Sequence, residues 1–470
     1  MKAKIKQSIA WLLIGRQAQF AISIGFHLLI MRILNPEVFG VYALAGSSLG
    51  FIAMFVSFGF AECIIQFQDL KNIERNVLGI TIIQAGAYAG LVIPGVYLVN
   101  RIYGGEIARI YLLLIAAHIL TFFTLAFRFI LERNLDFKTT EIVHFIANSA
   151  GILATLILAL AGAGVYSLVA GYYVKGLLET AIIFKCCRWN YGIGWDREVL
   201  RVVLIYGSKK YLVRVSGTMM LYLDKLMLGL MVPVAYVGAY ERALVIISSA
   251  VGLVSQVDAR FAFSLINRIK TDTRRLTSLI NKGIFFSSVL GVFFALAAIF
   301  YLRELIDLVL GEQWAETARL LPAFSLYLIG IVPAIFIQQV FFAVNDPLQV
   351  ARGRLLEIVV FVLLSLGIYR LAAGSGSTPI QLMALNLGFS GLIGAGYLTA
   401  LLLRLKQLQP ASILKPLAPA VPAALGGWLL LFFSGFPSLV VLVGVGMLYS
   451  GLLWMFCRAE ILWLKRYWRG

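Results

Sequence analysis

Apolar runs long enough to cross a membrane follow one another along almost the whole chain, separated by short polar connections. A bilayer core takes roughly 20 apolar helical residues, and by that measure about fourteen spans are predicted. They cover 9–34, 40–62, 77–98, 108–130, 142–162, 165–185, 207–230, 238–260, 283–302, 318–344, 355–372, 380–403, 417–435 and 438–457. The longest connections, 186–206 and 261–282, are both basic, and neither could fold as a soluble domain. The predicted fold class is therefore an all-α polytopic membrane protein.

Two spans carry polar faces. In the stretch 206–242, Lys210, Arg214, Gly217, Leu221 and Asp224 fall at i, i+4, i+7, i+11 and i+14, one face of a helix. In the first span Arg16, Gln19, Ser23 and His27 fall at i, i+3, i+7 and i+11. The first span ends in Asn35-Pro36-Glu37-Val38-Phe39-Gly40-Val41-Tyr42, the later one in Val232-Pro233-Val234-Ala235-Tyr236-Val237-Gly238-Ala239-Tyr240. Each reads as a polar-faced helix, a Pro turn, then Gly-x-Tyr opening the next helix. This weak internal repeat divides the chain near residue 200, and transporters are often built from two such halves.

Composition supports this picture. The 470 residues are 61% hydrophobic and 13% charged, against roughly 25% charged in soluble domains. The net charge of +18 reports orientation before it reports a partner, because Lys and Arg gather on cytoplasmic loops. If the chain starts inside and alternates, only Arg32, Arg101, Arg109, Arg303, Arg319 and Arg370 of the 40 Lys and Arg lie at the outer side, and most of the others lie on the inner side. Both termini are expected in the cytoplasm. The basic residues are spread over short loops, which argues against nucleic-acid binding. Lys2, Lys4 and Lys6 precede a span too long and too polar-faced for a signal peptide. Cys63, Cys186, Cys187 and Cys457 sit at expected cytoplasmic helix ends, lack metal-ligand spacing, and read as reduced and structural.

Charges inside apolar spans are expensive and turn towards protein or a water-filled cavity. Arg16, Lys210, Arg214 and Lys225 are the candidate cationic groups, and Gln19, His27, Asp224 and Glu241 the candidate polar or coupling groups. The structural alternative is a salt bridge of Asp224 with Arg214 or Lys225. Further polar lines are Thr121, Thr124 and Arg128 in the fourth span, His144, Asn148, Gly151 and Thr155 in the fifth, and Glu241, Ser248, Gly252 and Ser255 in the eighth. Small and hydroxyl residues of this kind serve helix packing. Pro94, Pro322, Pro333, Pro416, Pro419 and Pro422 are expected to bend their helices. The sequence has no phosphate-binding G-x-x-x-x-G-K-[ST] loop, no H-E-x-x-H and no Cys/His cluster. The acidic group Glu304, Asp307, Glu312 and Glu316 reads as a solvated face. No enzyme is expected, and no cofactor.

Several stretches resemble the Wzx-type polysaccharide flippases of the multidrug/oligosaccharidyl-lipid/polysaccharide exporter superfamily. They are Arg32 to Tyr42, Phe58-Gly59-Phe60-Ala61-Glu62, Glu132-Arg133-Asn134-Leu135-Asp136-Phe137, and Gly162-Ala163-Gly164-Val165-Tyr166-Ser167-Leu168-Val169. Asp224-Lys225-Leu226-Met227-Leu228-Gly229, Gly238-Ala239-Tyr240 and Leu310-Gly311-Glu312-Gln313-Trp314 follow in the family's order. Asn345-Asp346-Pro347 and 258–264 depart from it. The resemblance implies two pseudo-symmetric lobes of six helices, 1–200 and 201–405, plus two C-terminal helices and a cytoplasmic tail in 406–470. It implies a multi-pass cell (inner) membrane protein that moves an undecaprenyl-diphosphate-linked oligosaccharide (an O-antigen, capsule or exopolysaccharide unit) to the outer leaflet. Transport would be by alternating access through a cationic central cavity. Arg suits bidentate contact with phosphate. The implied partners are the glycan lipid, membrane lipids and polysaccharide polymerase or other export components, with the chain itself a monomer. Driving by the membrane potential, H+ or Na+ stays open. A drug or cation antiporter of the same superfamily would need an acidic pocket, and a polymerase or ligase would need a substantial outer loop.

Overall fold

The computed structural model describes residues 23–67, 70, 72–134, 136–187, 192–269, 272–344, 346–375, 379–404, 445, 447 and 449–451. For 209, 210, 250, 253–265, 267–269, 273, 303 and 373–375 it describes the backbone alone. The described chain is helical throughout its regular structure, as the hydrophobic pattern predicts. It forms two compact units, Met1–Gly238 and Ala239–Gly470.

In the first unit the helices are α1 (Ser23–Ile33), α2 (Pro36–Val56), α3 (Cys63–Gln66), α4 (Ile73–Tyr103), α5 (Gly105–Arg133), α6 (Phe137–Leu160), α7 (Val165–Cys186) and α8 (Arg197–Gly229). α9 (Val234–Ile269) begins in the first unit and continues in the second. The second unit adds α10 (Thr273–Phe300), α11 (Leu302–Leu310), α12 (Ala315–Ala343), α13 (Pro347–Ser375) and α14 (Ile380–Arg404). Among the described residues nine helices are long and apolar enough to cross a membrane: α2, α4 to α7, α10 and α12 to α14. α8 falls outside that set because charged residues interrupt its apolar sequence, and α9 is described over much of its length by its backbone alone. The predicted spans 417–435 and 438–457 lie almost wholly outside the described residues.

The family-like stretches are largely helix punctuation. Asn35 caps α2, its side-chain oxygen accepting from the Val38 amide at 3.1 Å, and Pro36 takes the first helical position, where its missing N–H costs nothing. Asp136 caps α6 by accepting from Thr139 N at 3.2 Å. Glu132 pairs with Arg128 at 2.8 Å, and Arg133 pairs with Glu74. Gly162 and Gly164 turn the chain into α7 with φ of 80° and 53°, a region open to glycine. In the second unit Gly311, at φ 84°, leads into a 3-10 turn that buries Trp314.

α4 runs through Pro94, and α12 through Pro322 and Pro333. The three other prolines of that expectation, Pro416, Pro419 and Pro422, lie outside the described residues. A core of the first unit joins Phe60, Ile64, Val77, Phe127, Ile130 and Val203 from five neighbouring elements.

Candidate functional site

The helix α2 stops in mid-run. Residues 57–59 leave helical geometry before the 3-10 turn Phe60–Glu62 and α3. The last four carbonyls of a helix have no intrahelical partner. Here Gln84 Nε2 donates to the Val56 oxygen at 2.7 Å, and the Tyr211 hydroxyl donates to the Phe55 oxygen at 3.1 Å. Phe58 stacks on Phe60 and on Tyr211. Gly59 has φ 72°, and a Cβ there would stand 2.8 Å from Arg214 Nη1. The positive φ favours glycine at that point, while the arginine tip could shift aside.

Arg214 Nη1 donates to Glu62 Oε1 at 2.8 Å, with the two side chains 36% and 33% exposed. The pair therefore neutralises a guanidinium in the middle of α8 while leaving it open on one side. α8 has 33 residues, about 50 Å at 1.5 Å each, longer than a bilayer core. It lies antiparallel along α2. Gly207 meets Phe60, Tyr211 meets Phe58, Tyr222 meets Gly50, and Gly229 meets Leu44. At the end of this line Gly40 meets the Val234 backbone and Gly238 meets the Pro36 backbone.

Asp224 is 1% exposed and Lys225 12%, and Lys225 Nζ lies 3.2 Å from Asp224 Oδ1. Of the two salt bridges considered for Asp224, the structure forms the one with Lys225, and Arg214 turns to Glu62 instead. The polar stripe of α8 does not stay on one environment: Arg214 is half-buried, Gly217 and Leu221 are exposed, and Asp224 is buried. His27 is exposed, with Nδ1 at 2.6 Å from the Ser23 oxygen. Arg16 and Gln19 lie outside the described residues, and Lys210 is described by its backbone alone. Glu241 sits in the second unit and pairs with its neighbour Arg242.

A second constellation joins the polar lines expected in the fourth and fifth spans to Lys175 and Glu179, which the sequence reading did not single out. On α7, Glu179 accepts from or pairs with His144 of α6, Nδ1 to Oε1 at 2.9 Å. Lys175 stands one turn earlier on the same helix, so close to Gly151 that a Cβ there would come within 2.8 Å of the Lys175 Cβ. Arg128 of α5 bonds Glu132 at 2.8 Å and reaches Glu141 at 4.0 Å. Thr124 and Thr180 hydroxyls meet at 2.5 Å, and Asn148 donates to Ser23 Oγ at 3.1 Å. The available signal was Lys175 and Glu179 at i, i+4 inside one apolar span, a spacing that places both on one face. In the second unit Arg354 bonds Glu357, 4% exposed, at 2.8 Å. No group of three or more His, Cys, Asp or Glu could hold a metal ion among the described residues.

Helices long and apolar enough to cross a membrane, carrying buried or half-buried ion pairs, define a polytopic membrane fold. The fold is shared with solved structures. The lipid II flippase MurJ in an inward closed conformation superposes with a TM-score of 0.72 at 13% identity, over 96% of this chain and 100% of that one. An inward-facing multidrug resistance MATE transporter of the MOP superfamily gives 0.66 at 12% identity, over 85% and 98%.

A family profile described as "Polysaccharide biosynthesis protein" matches residues 29–319, and the chain belongs to that family. The succinoglycan biosynthesis transport protein ExoT of Rhizobium meliloti (strain 1021) is 23% identical over 190 residues, 39% of this chain and 38% of ExoT. An uncharacterized membrane protein in the cps region of Klebsiella pneumoniae is 22% identical over 330 residues, 67% of this chain and 66% of that protein. The chain spans less than two thirds of the length of either relative. The resemblance to polysaccharide flippases is borne out at the level of family, by the profile, and of fold, by the MurJ and MATE structures.

Proposed function

We propose that this chain is a flippase for an undecaprenyl-diphosphate-linked oligosaccharide, moved from the cytoplasmic to the outer leaflet of the inner membrane by alternating access. The observation that carries the reading is Arg214, held by Glu62 at the break of α2 yet 36% exposed. A guanidinium has five N–H donors, and the bond to Glu62 engages Nη1. The remaining donors suit a diphosphate, whose crossing of hydrocarbon a cationic cavity makes less costly. Arg16, Lys210 and Lys225 join Arg214 as cations of that cavity. Gln19, His27, Asp224 and Glu241 orient them or respond to a coupling ion. The functional halves are 1–200 and 201–405, with both termini cytoplasmic and the chain working as a monomer beside the export machinery.

An inside-negative potential favours outward movement of an anion. At roughly 2.3 kcal/mol per charge per 100 mV, about two phosphate charges give on the order of 4–5 kcal/mol. H+ or Na+ coupling would add to this. The test is a gene deletion followed by assignment of the glycan lipid to a leaflet. Cytoplasmic accumulation, relieved by the wild-type chain but not by Arg16→Ala/Arg214→Ala at equal membrane levels, is the expected result. Normal outward exposure in the deleted strain would overturn the proposal.

A further inference from the structure

The first unit contains an apolar slot that the transport reading leaves unused. Its volume is about 600 Å³, within the roughly 300–1,000 Å³ of small-molecule sites. Phe58 and Phe60 form one side, Ile83 of α4 another, and Leu204 and Ile205 of α8 a third. Gln84 also lines it, but its amide is bonded to the Val56 oxygen. The interior is thus hydrocarbon-like. Ile83, Leu204 and Ile205 are each about half exposed, so the slot opens on the surface of the unit.

One end of the slot is built differently. The segment 192–196 is held on the start of α4, with Gly194 N donating to the Arg75 oxygen at 2.9 Å and Asp196 N to Asn76 Oδ1 at 2.7 Å. This places Trp195 at the rim, 54% exposed. Directly after it α8 begins. Arg197, Arg201, Leu204 and Ser208 fall at i, i+4, i+7 and i+11, one face of that helix. Leu204 and Ser208 line the slot, so the same face continues past the rim as two exposed arginines. The order along the face is hydrocarbon, indole, guanidinium. Trp sits at the membrane–water interface, and Arg matches a phosphate with paired N–H donors.

We propose that the slot holds one acyl chain of an anionic glycerophospholipid, whose phosphodiester lies against Arg197 and Arg201. The lipid would brace the break of α2 from the side opposite Arg214, since Phe58 and Phe60 flank Gly59. The site is separate from the cargo contacts, and its occupant is a resident membrane lipid.

The test is native mass spectrometry of the full chain, released from detergent after titration with phosphatidylglycerol, phosphatidylcholine or undecaprenyl phosphate. Two arginines near the phosphate predict about a 10-fold preference for phosphatidylglycerol over phosphatidylcholine. Arg197→Gln/Arg201→Gln removes the preference, and Ser208→Trp, which fills the slot, lowers retention of both phospholipids. Thermal unfolding of each variant separates loss of lipid from loss of fold. Equal retention of the two phospholipids by the wild type overturns the proposal. So does a preference that survives in both folded variants, or displacement of phosphatidylglycerol by equimolar undecaprenyl phosphate, which would make the slot a cargo site. The readout is retention, so it is independent of what the protein transports.

Discussion

Gly40 meets the backbone of Val234 with no room for a side chain between them, and Gly238 meets the backbone of Pro36 in the same way. These are the glycines of the two Pro-turn-Gly repeats, about two hundred residues apart in sequence and interlocked in space. The contact closes the long antiparallel pairing of α2 with α8. Adding a methyl group here forces backbone against backbone, and overpacking of that kind costs about 1–3 kcal/mol or more. Gly40→Ala and Gly238→Ala are each expected to lower the thermal midpoint of the purified protein. Gly46→Ala, two turns further along α2 with nothing within 4 Å, is expected to leave it unchanged or raise it slightly. Equal behaviour of all three would remove the interlock as a structural element.

Arg214 and Glu62 should show coupling. Removing one member of a fully buried pair costs about 3–5 kcal/mol. Both side chains here are about one-third exposed, so a smaller coupling, on the order of 1 kcal/mol, is expected from a cycle of Glu62→Gln and Arg214→Gln. Denaturation of the four proteins measures it. In cells, Glu62→Gln is expected to weaken polysaccharide export less than Arg214→Gln, because it spares the cation.

The cluster at α7 predicts a compensation. Glu179→Ala leaves Lys175 and His144 without the carboxylate that faces them, and is expected to destabilise the protein by about 3 kcal/mol. Adding Lys175→Met removes the stranded charge and should restore much of the loss. If the double variant is no more stable than Glu179→Ala, Lys175 does not depend on Glu179.

Thiol chemistry separates two neighbours. Burial, with a smaller contribution from Cys186, pushes the Cys187 thiol up to about 12, and its sulfur donates to the Phe127 oxygen at 3.1 Å. Cys186 is exposed. The thiolate is the nucleophile, so at pH 7 to 8 Cys187 stays protonated and slow. In a Cys63→Ser/Cys457→Ser background, maleimide is expected to label one site, lost in Cys186→Ser and kept in Cys187→Ser. Applied from either side of sealed vesicles, the same reagent places this end of α7 in the cytoplasm or outside.

The helices of this protein are legible from sequence because hydrophobicity and its period are local properties. A run such as 380–403 must be buried in lipid or protein wherever it sits, and it appears as Ile380–Arg404. The charge-bearing span 206–242 and the repeat glycines Gly40 and Gly238 could likewise be picked out one by one. What the sequence alone could not decide is which groups meet. Arg214 finds Glu62, 152 residues away, rather than Asp224 on its own helix. Lys175, Glu179, His144 and Arg128 gather from three helices. α8 packs along α2 and so falls in the compact unit that ends at Gly238, beyond the repeat boundary near residue 200. Each of these outcomes depends on long-range packing, on which helix faces which and at what register, and no local pattern of residues carries that information.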